Sequence, residues 1–206
     1  MTYNKAAMFG LDARIALAIF GALSVISGAA LYSAIKTAKT EQLRQNFVEI
    51  IKASEQYYLD NFSPLKNYAA NVFIYSADLV NNRESLSTWN GPYLQGTAQG
   101  SASFKNQYTK SIHANTYFTI FLRQSDTWTE MNDTISDEMC TVGDSNCSEW
   151  ISLVANEASI SSTVLNIFND LDDLVDNGDG ALEGTVRFNT KNSGYIMYKG
   201  INNIRE

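Results

Sequence analysis

Hydrophobic and polar positions divide this chain into three regimes. From Ile15 to Ile35 no charged residue occurs, and the apolar side chains fall on every side of a helix rather than along one stripe. From Lys36 to Asn61 there is no proline or glycine, and the pattern becomes one-sided. Leu43, Phe47, Ile50, Ile51, Tyr57 and Tyr58 recur at helical spacing, while Glu41, Arg44, Glu49, Lys52 and Glu55 occupy much of the remaining circumference. Beyond Pro64 the periodic runs are short and of mixed type.

The first two regimes predict one unbroken helix, on the order of 75 Å long at 1.5 Å per residue. Its first part, residues 15–35, has the length of roughly 20 apolar residues that a bilayer core requires. Pro64, after Asn61-Phe62-Ser63, ends it, because proline disfavours a helical residue before it. Tyr68 to Val80 reads as either a short helix or a strand, and Asn90-Gly91-Pro92-Tyr93-Leu94 as a turn. Gly96, Gly100 and nearby serines mark a loop.

The stretch from Ser111 to Leu122 is rich in β-branched and aromatic residues and predicts a strand, with Tyr117, Thr119 and Phe121 alternating against Phe118, Ile120 and Leu122. Asp126 to Glu149 is polar and reads as a loop. Ser159 to Asp176 predicts a helix whose apolar face is Val164, Leu165, Ile167, Phe168, Leu171, Leu174 and Val175, with Ser161 or Ser162 as cap. Asp176-Asn177-Gly178-Asp179-Gly180 ends that helix, and Gly184 to Phe188 and Tyr195 to Tyr198 predict two strands joined through Asn192-Ser193-Gly194. The fold class is therefore α+β: a long N-terminal helix, membrane-spanning in its first half, packed on a small antiparallel sheet in a globular head.

Charge changes the list of partners. The formal net charge is −7, and the acidic excess lies in the head, notably in Asp126–Glu149 and Asp170–Glu183. No Lys/Arg-rich stripe accompanies it, so nucleic acid is not an expected partner; such acidity suits the solubility of an exported domain. Cys140 and Cys147 are the only cysteines, and their spacing matches neither a C-x-x-C redox motif nor the paired doublets of a zinc site. In an exported head they are expected to close one small disulfide loop; in a cytosolic protein they would be free thiols.

Candidate chemistry is sparse. Asp170, Asp172, Asp173, Asp176, Asp179 and Glu183 place hard oxygen ligands beside glycines, the chemistry calcium prefers, although the EF-hand spacing is not met. Asp176 and Asp179 are the named calcium candidates, against the plainer reading of a solvated helix end. His113 is the single histidine, and no serine or cysteine near it has the context of an activated nucleophile, so it reads as a strand histidine. Trp89, Trp128 and Trp150 read as core. No enzyme activity and no resident cofactor are expected.

With these residues in view, the chain resembles bacterial type IV pilin-like proteins, including the pseudopilins of type II secretion. The likeness is carried by Phe9-Gly10-Leu11, where a short leader containing Lys5 meets the apolar helix. Glu55-Gln56-Tyr57-Tyr58-Leu59-Asp60-Asn61 is similar to the end of a pilin stalk helix, and Gly91-Pro92-Tyr93-Leu94 to a turn of major pseudopilins. It covers residues 1–62 well. The resemblance implies a leader over residues 1–10, a stalk helix over 11–62 and a periplasmic or extracellular head over 63–206.

It further implies that a prepilin peptidase cuts after Gly10 and that the new amino group on Leu11 is methylated. The helix would then wait in the inner membrane until drawn into a filament, with Ile15, Leu17, Ile19, Phe20, Leu23, Ile26 and Leu31 in the lipid or the filament core. The family usually carries a glutamate at the fifth position after the cut; here that residue is Ile15, and Asp12 is the candidate charge partner in assembly. Gly21, Gly28 and the alanines between Ala16 and Ala30 favour close helix approach.

The expected function is thus a structural subunit of a type IV pilus or a type II secretion pseudopilus: anchored by one pass in the inner membrane, assembling with like subunits through its N-terminal helix, and carrying its head outside the cytoplasm. The alternative is a signal-anchored periplasmic binding module with an acidic head. In that case Ser27-Gly28-Ala29 offers small residues for an ordinary signal cleavage.

Overall fold

The computed structural model describes residues 6–68, 73–124, 128, 130–132, 140, 147–191 and 194–202, with no account of the side chains of 6–9, 11 and 124. Helix α1 runs from Ala6 to Asn61 without interruption. The chain divides into two compact units, Met1–Lys39 and Thr40–Glu206.

The first unit is helical from Ala6 onward, and every side chain described between Gly10 and Lys39 is exposed. Leu17, Phe20, Val25 and Tyr32 each leave more than two thirds of their surface uncovered, at 72%, 71%, 73% and 73%. The most apolar window of this helix has a mean hydropathy of 2.1, and by length and composition it is long enough to cross a membrane.

The second unit begins with the one-sided part of α1. Leu43, Phe47, Ile50, Ala53 and Tyr57 are buried, as the helical spacing predicts, and Ile51 is half-buried beside them. Tyr58 departs from the expectation: it remains 43% exposed, because its neighbour Tyr57 takes the buried position. The helix ends as expected before Pro64, with Phe62 at φ 51° and its N–H donating to the Tyr58 carbonyl at 2.8 Å.

Six antiparallel strands form one sheet in the order β1-β2-β3-β4-β6-β5. They are β1 (Thr97–Ala98), β2 (Ser103–Lys105), β3 (Thr116–Gln124), β4 (Cys147–Ala155), β5 (Val186–Asn189) and β6 (Tyr195–Asn202). The centre is the nine-residue pairing of β3 with β4, from Thr116 opposite Ala155 to Gln124 opposite Cys147. The two margins are short, two residues in β1 and four in β5. The fold is α+β, with a long N-terminal helix and an antiparallel sheet.

Strand alternation builds two layers of core. Phe118, Ile120, Ile151, Leu153 and Ile196 face the side that carries the buried stripe of α1 and the apolar face of α3 (Ser161–Val175). Phe121, Trp150, Val154, Tyr195 and Met197 face the opposite side, where Trp128 covers them. Two guanidinium groups approach the Trp128 ring, Arg123 at 4.1 Å and Arg187 at 5.2 Å from its centre, and Arg187 also stands 5.0 Å from the Trp150 ring. Trp128 and Trp150 are core residues as expected, whereas Trp89 is half-buried and donates its ring N–H to the Asp78 carbonyl at 2.8 Å.

Several sequence expectations need correction. Ser111 and Ile112 belong to α2 (Gln107–Ile112), not to the strand, which starts at Thr116. A capping box fixes the start of α2: Asn106 Oδ1 accepts from Thr109 N at 3.1 Å, and Thr109 Oγ1 accepts from Asn106 N at 3.1 Å. His113 accordingly terminates α2 rather than sitting in a strand, and its Nδ1 accepts from Asn115 N at 3.2 Å.

The expected loop of Asp126–Glu149 ends earlier than predicted, because β4 begins at Cys147; most of that segment lies outside the described residues. Neither Ser161 nor Ser162 caps α3. Ile160 holds the cap position, and the Ser161 hydroxyl donates back to the Ala158 carbonyl at 3.0 Å. In Tyr68–Val80 the described residues contain a 3-10 helix, Ser76–Leu79, and two isolated bridges, Asn67 with Ile74 and Phe73 with Phe121. The turn expected over Asn90–Leu94 is not formed as such: residues 90–93 are irregular, with a cis Gly91-Pro92 peptide, and the chain bends at residues 94–96.

Candidate functional site

Two features of the described residues carry chemistry beyond packing. The first is the apolar surface of α1. Ile15, Leu17, Ile19, Phe20, Leu23, Ile26 and Leu31 are all exposed, between 51% and 72%. At roughly 25 cal/mol per Å² of apolar surface, such a surface in water is unfavourable by many kcal/mol, so it calls for lipid or protein around it. Gly10 and Asp12 are exposed on the same helix, and the side chain of Leu11 lies outside the described residues. Asp12 and Arg14, the only charged residues between Gly10 and Ile35, stand two positions apart and so point to different sides of the helix.

The second feature is at the C-terminal end of α3. Asp172, Asp176 and Asp179 place carboxylate oxygens within 4.8 Å of one another. Asp172 lies in the last turn of α3 and Asp176 caps that helix four positions later, which brings them to one side, and the loop that follows turns Asp179 back onto them. Left-handed residues make that turn, with φ of 60° at Asn177, 73° at Gly178 and 105° at Gly180.

Glycine is also required at position 184. Its φ is 67°, and a Cβ there would stand 2.6 Å from Asp179 Oδ2 and 2.7 Å from the Asp176 carboxyl carbon. The two carboxylates close over backbone that has no side chain.

The three groups are held differently. Asp176 Oδ2 accepts from the backbone N–H groups of Thr185 at 2.9 Å and Val186 at 2.6 Å. Asp172 Oδ2 accepts from Gly180 N at 3.1 Å. Asp172 Oδ1 is buried and meets no hydrogen-bond donor among the described residues, on a side chain only 4% exposed. Burial pushes the Asp172 carboxyl above the usual carboxylate range, and the charges of Asp179 and Asp176 add to the effect while the Gly180 N–H opposes it. Asp179 is exposed and gives the cluster an opening to solvent.

The sequence names Asp176 and Asp179, and the structure brings both together and adds Asp172. The i, i+4 spacing of Asp172 and Asp176 is the signal that assigns Asp172 to the pair. Asp170, Asp173 and Glu183, grouped with them in the sequence, are outside the triad among the described residues.

The cysteines also meet. Cys140 and Cys147 form a disulfide, with Cα atoms 5.7 Å apart, that joins the segment before β4 to the first residue of that strand. A bond of this kind persists in oxidising compartments.

A groove of about 630 Å³ opens between α1 and the loop after Trp89, lined by Asn46, Lys52, Asp60, Tyr93 and Phe104 among others. Its described lining contains no serine, cysteine or histidine.

Compared with protein-family models, curated proteins and solved structures, the chain matches none.

Proposed function

We propose that this chain is a structural subunit of a filament of the type IV pilus or type II secretion pseudopilus kind, anchored in the inner membrane before assembly. The reading rests on one observation above all. A single helix is apolar and exposed on all sides from Ile15 to Ile35, and beyond Thr40 the same helix buries one stripe in a folded α+β unit. A membrane anchor alone needs only the first property.

Lipid solvates the apolar segment while its backbone groups bond internally, and a bundle of like helices offers the same side chains an equivalent apolar surrounding. Transfer between the two then costs little, so a modest driving force moves a subunit either way. The small residues at Gly21, Gly28 and the neighbouring alanines lower the closest approach of two such helices. Asp12 would supply the negative charge at the start of the packed segment, where a positive amino terminus or Arg14 has to be neutralised away from water. The disulfide and the acidic surface agree with a folded part outside the cytoplasm.

Amino-terminal mass spectrometry of the natural product tests the reading. A mature chain beginning at Leu11 with a methylated amine, lost when Gly10 is replaced by a bulky residue, is the expected result. A chain beginning near Ala30 would instead identify an ordinary exported protein and remove the polymerising segment altogether.

A further inference from the structure

We infer that Lys36 and Lys39, with Tyr32 one turn before Lys36, form a head-group site that takes the phosphate of an anionic phospholipid where α1 leaves the bilayer. The inference rests on the reading that residues 15–35 cross the membrane, and adds to it a partner of defined chemistry.

Position along the helix is the first support. Arg14 and Lys36 bound the stretch of α1 that carries no charge. At 1.5 Å per residue they stand about 33 Å apart along the axis, against a hydrocarbon core of about 30 Å. A helix that seats Arg14 among the phosphates of one leaflet therefore delivers Lys36 to those of the other. Tyr32 falls one turn inside and is 73% exposed, at the depth where a tyrosine ring bridges acyl chains and water.

Direction around the helix is the second. Tyr32, Lys36 and Lys39 stand at i, i+4 and i+7, so they share one side of α1, and all three are exposed. The two ammonium groups are thus gathered over one region of the interface instead of being spread around the circumference. Their aliphatic stems lie along apolar surface while the charged ends stay wet.

Charge then selects the ligand. No carboxylate occurs between Asp12 and Glu41. Glu41 already has a cation of its own: its oxygens accept from Arg44 Nε at 2.8 Å, Arg44 Nη2 at 2.7 Å and Gln45 Nε2 at 2.6 Å. At this depth the abundant anion is the lipid phosphodiester, and each lysine near a negatively charged membrane surface strengthens the attraction roughly fivefold. A zwitterionic head group carries an ammonium that offsets its phosphate, so the site favours a lipid of net negative charge such as phosphatidylglycerol.

Lipids carried through purification provide the test. The full-length protein is reconstituted into vesicles holding equal amounts of phosphatidylglycerol and phosphatidylcholine, re-extracted in a mild non-ionic detergent, and its retained lipids are counted by mass spectrometry. The wild type is expected to be enriched in phosphatidylglycerol. In Lys36→Gln/Lys39→Gln that enrichment should fall about tenfold, while Lys36→Arg/Lys39→Arg keeps it. All three proteins should stay with the membranes through an alkaline carbonate wash. Release of the wild type by that wash would remove the spanning reading and this site with it, whereas a wild type that stays yet shows no lipid preference sinks the site alone. The inference also fails if the glutamine variant retains phosphatidylglycerol as the wild type does. It fails again if sodium phosphate abolishes the enrichment where sodium chloride of equal ionic strength does not, which would mark a site for free phosphate. Lysine-dependent dimers in place of retained lipid would overturn it too, by assigning the pair to carboxylates of a second copy.

Discussion

Phe47 on α1 and Tyr198 on β6 stack nearly parallel, with ring centres 5.2 Å apart and planes 17° from each other. Phe47 also meets Phe118 of β3 edge-on at 5.7 Å, so one fully buried ring ties the helix to two strands that are separated by β4. Replacing Phe47 by alanine removes both contacts and leaves a cavity where the surrounding sheet has little freedom to collapse. A loss of about 3–5 kcal/mol is expected. Urea unfolding followed by tryptophan fluorescence measures it, and a loss under about 1 kcal/mol would show that the helix is not held by this ring.

Arg83 and Asp78 supply a prediction with a defined pH dependence. Arg83 Nε lies 3.1 Å from Asp78 Oδ1, and the same guanidinium reaches Glu84 at 3.0 Å. Asp78 is only 4% exposed on its side chain, and burial holds its carboxyl above the usual range even though Arg83 pulls it down. Arg83→Met leaves that carboxylate buried without its main partner, at a cost of about 1–3 kcal/mol near neutral pH. Losing the cation raises the folded-state pKa further, so the folded state binds more protons than the unfolded chain as pH falls. The penalty should therefore shrink as pH falls from neutrality through the raised pKa of Asp78. Denaturation of the pair of proteins at pH 7 and pH 4 checks this, and a penalty that grows on acidification contradicts it.

At alkaline pH, Tyr57 behaves in the same sense but in a different window. Burial pushes its phenol up to about 12, from an ordinary value of 10. Unfolded Tyr57 ionises first, so stability is unaffected below pH 10 and falls as pH rises from about 10 to 12, by on the order of 2–3 kcal/mol. Tyr57→Phe has no proton to lose and should keep that share of stability at pH 11.5 while matching the wild type near pH 8. The wild type still declines for other reasons, since Tyr108 is pushed up as well by burial. Equal alkaline loss in the two proteins would remove Tyr57 from the account.

For the apolar segment, Leu23→Lys places a charge in a stretch that otherwise has none between Ile15 and Ile35. An ammonium at that depth costs roughly 2.5–3.5 kcal/mol on insertion, and more where no partner is available. Membrane fractionation should show reduced anchoring, and electron microscopy of cells should show no filaments containing the variant. Normal filaments from Leu23→Lys would mean that residues 15–35 are not the packed surface.

Much of this architecture was legible because long periodic runs leave few alternatives. The buried stripe Leu43, Phe47, Ile50 and Tyr57 follows from spacing alone, as do the existence of α3, although Leu165 and Leu174 of its expected apolar face are exposed, and the pairing of β5 with β6, whose expected joining residues Asn192 and Ser193 lie outside the described residues. Strand β4 was hidden for a physical reason: all nine of its residues are buried, on both faces of the sheet, so Cys147–Ala155 has no polar alternation to announce it. The strands β1 and β2 are too short to leave a pattern. The end of α2 was misread because Ser111 and Ile112 are β-tolerant residues recruited by a capping box several positions earlier. In the acidic cluster, residue types were visible, but the selection of Asp172 over Asp170 and Asp173 depends on which side of α3 faces the returning loop.

The stunted margins of the sheet, two residues in β1 and four in β5, bear on how such a molecule tolerates crowding. A long open border would invite a neighbour's backbone to zip alongside and seed cross-β aggregates wherever copies accumulate. With so few free ladder positions on the described marginal strands, strand-to-strand recruitment is starved.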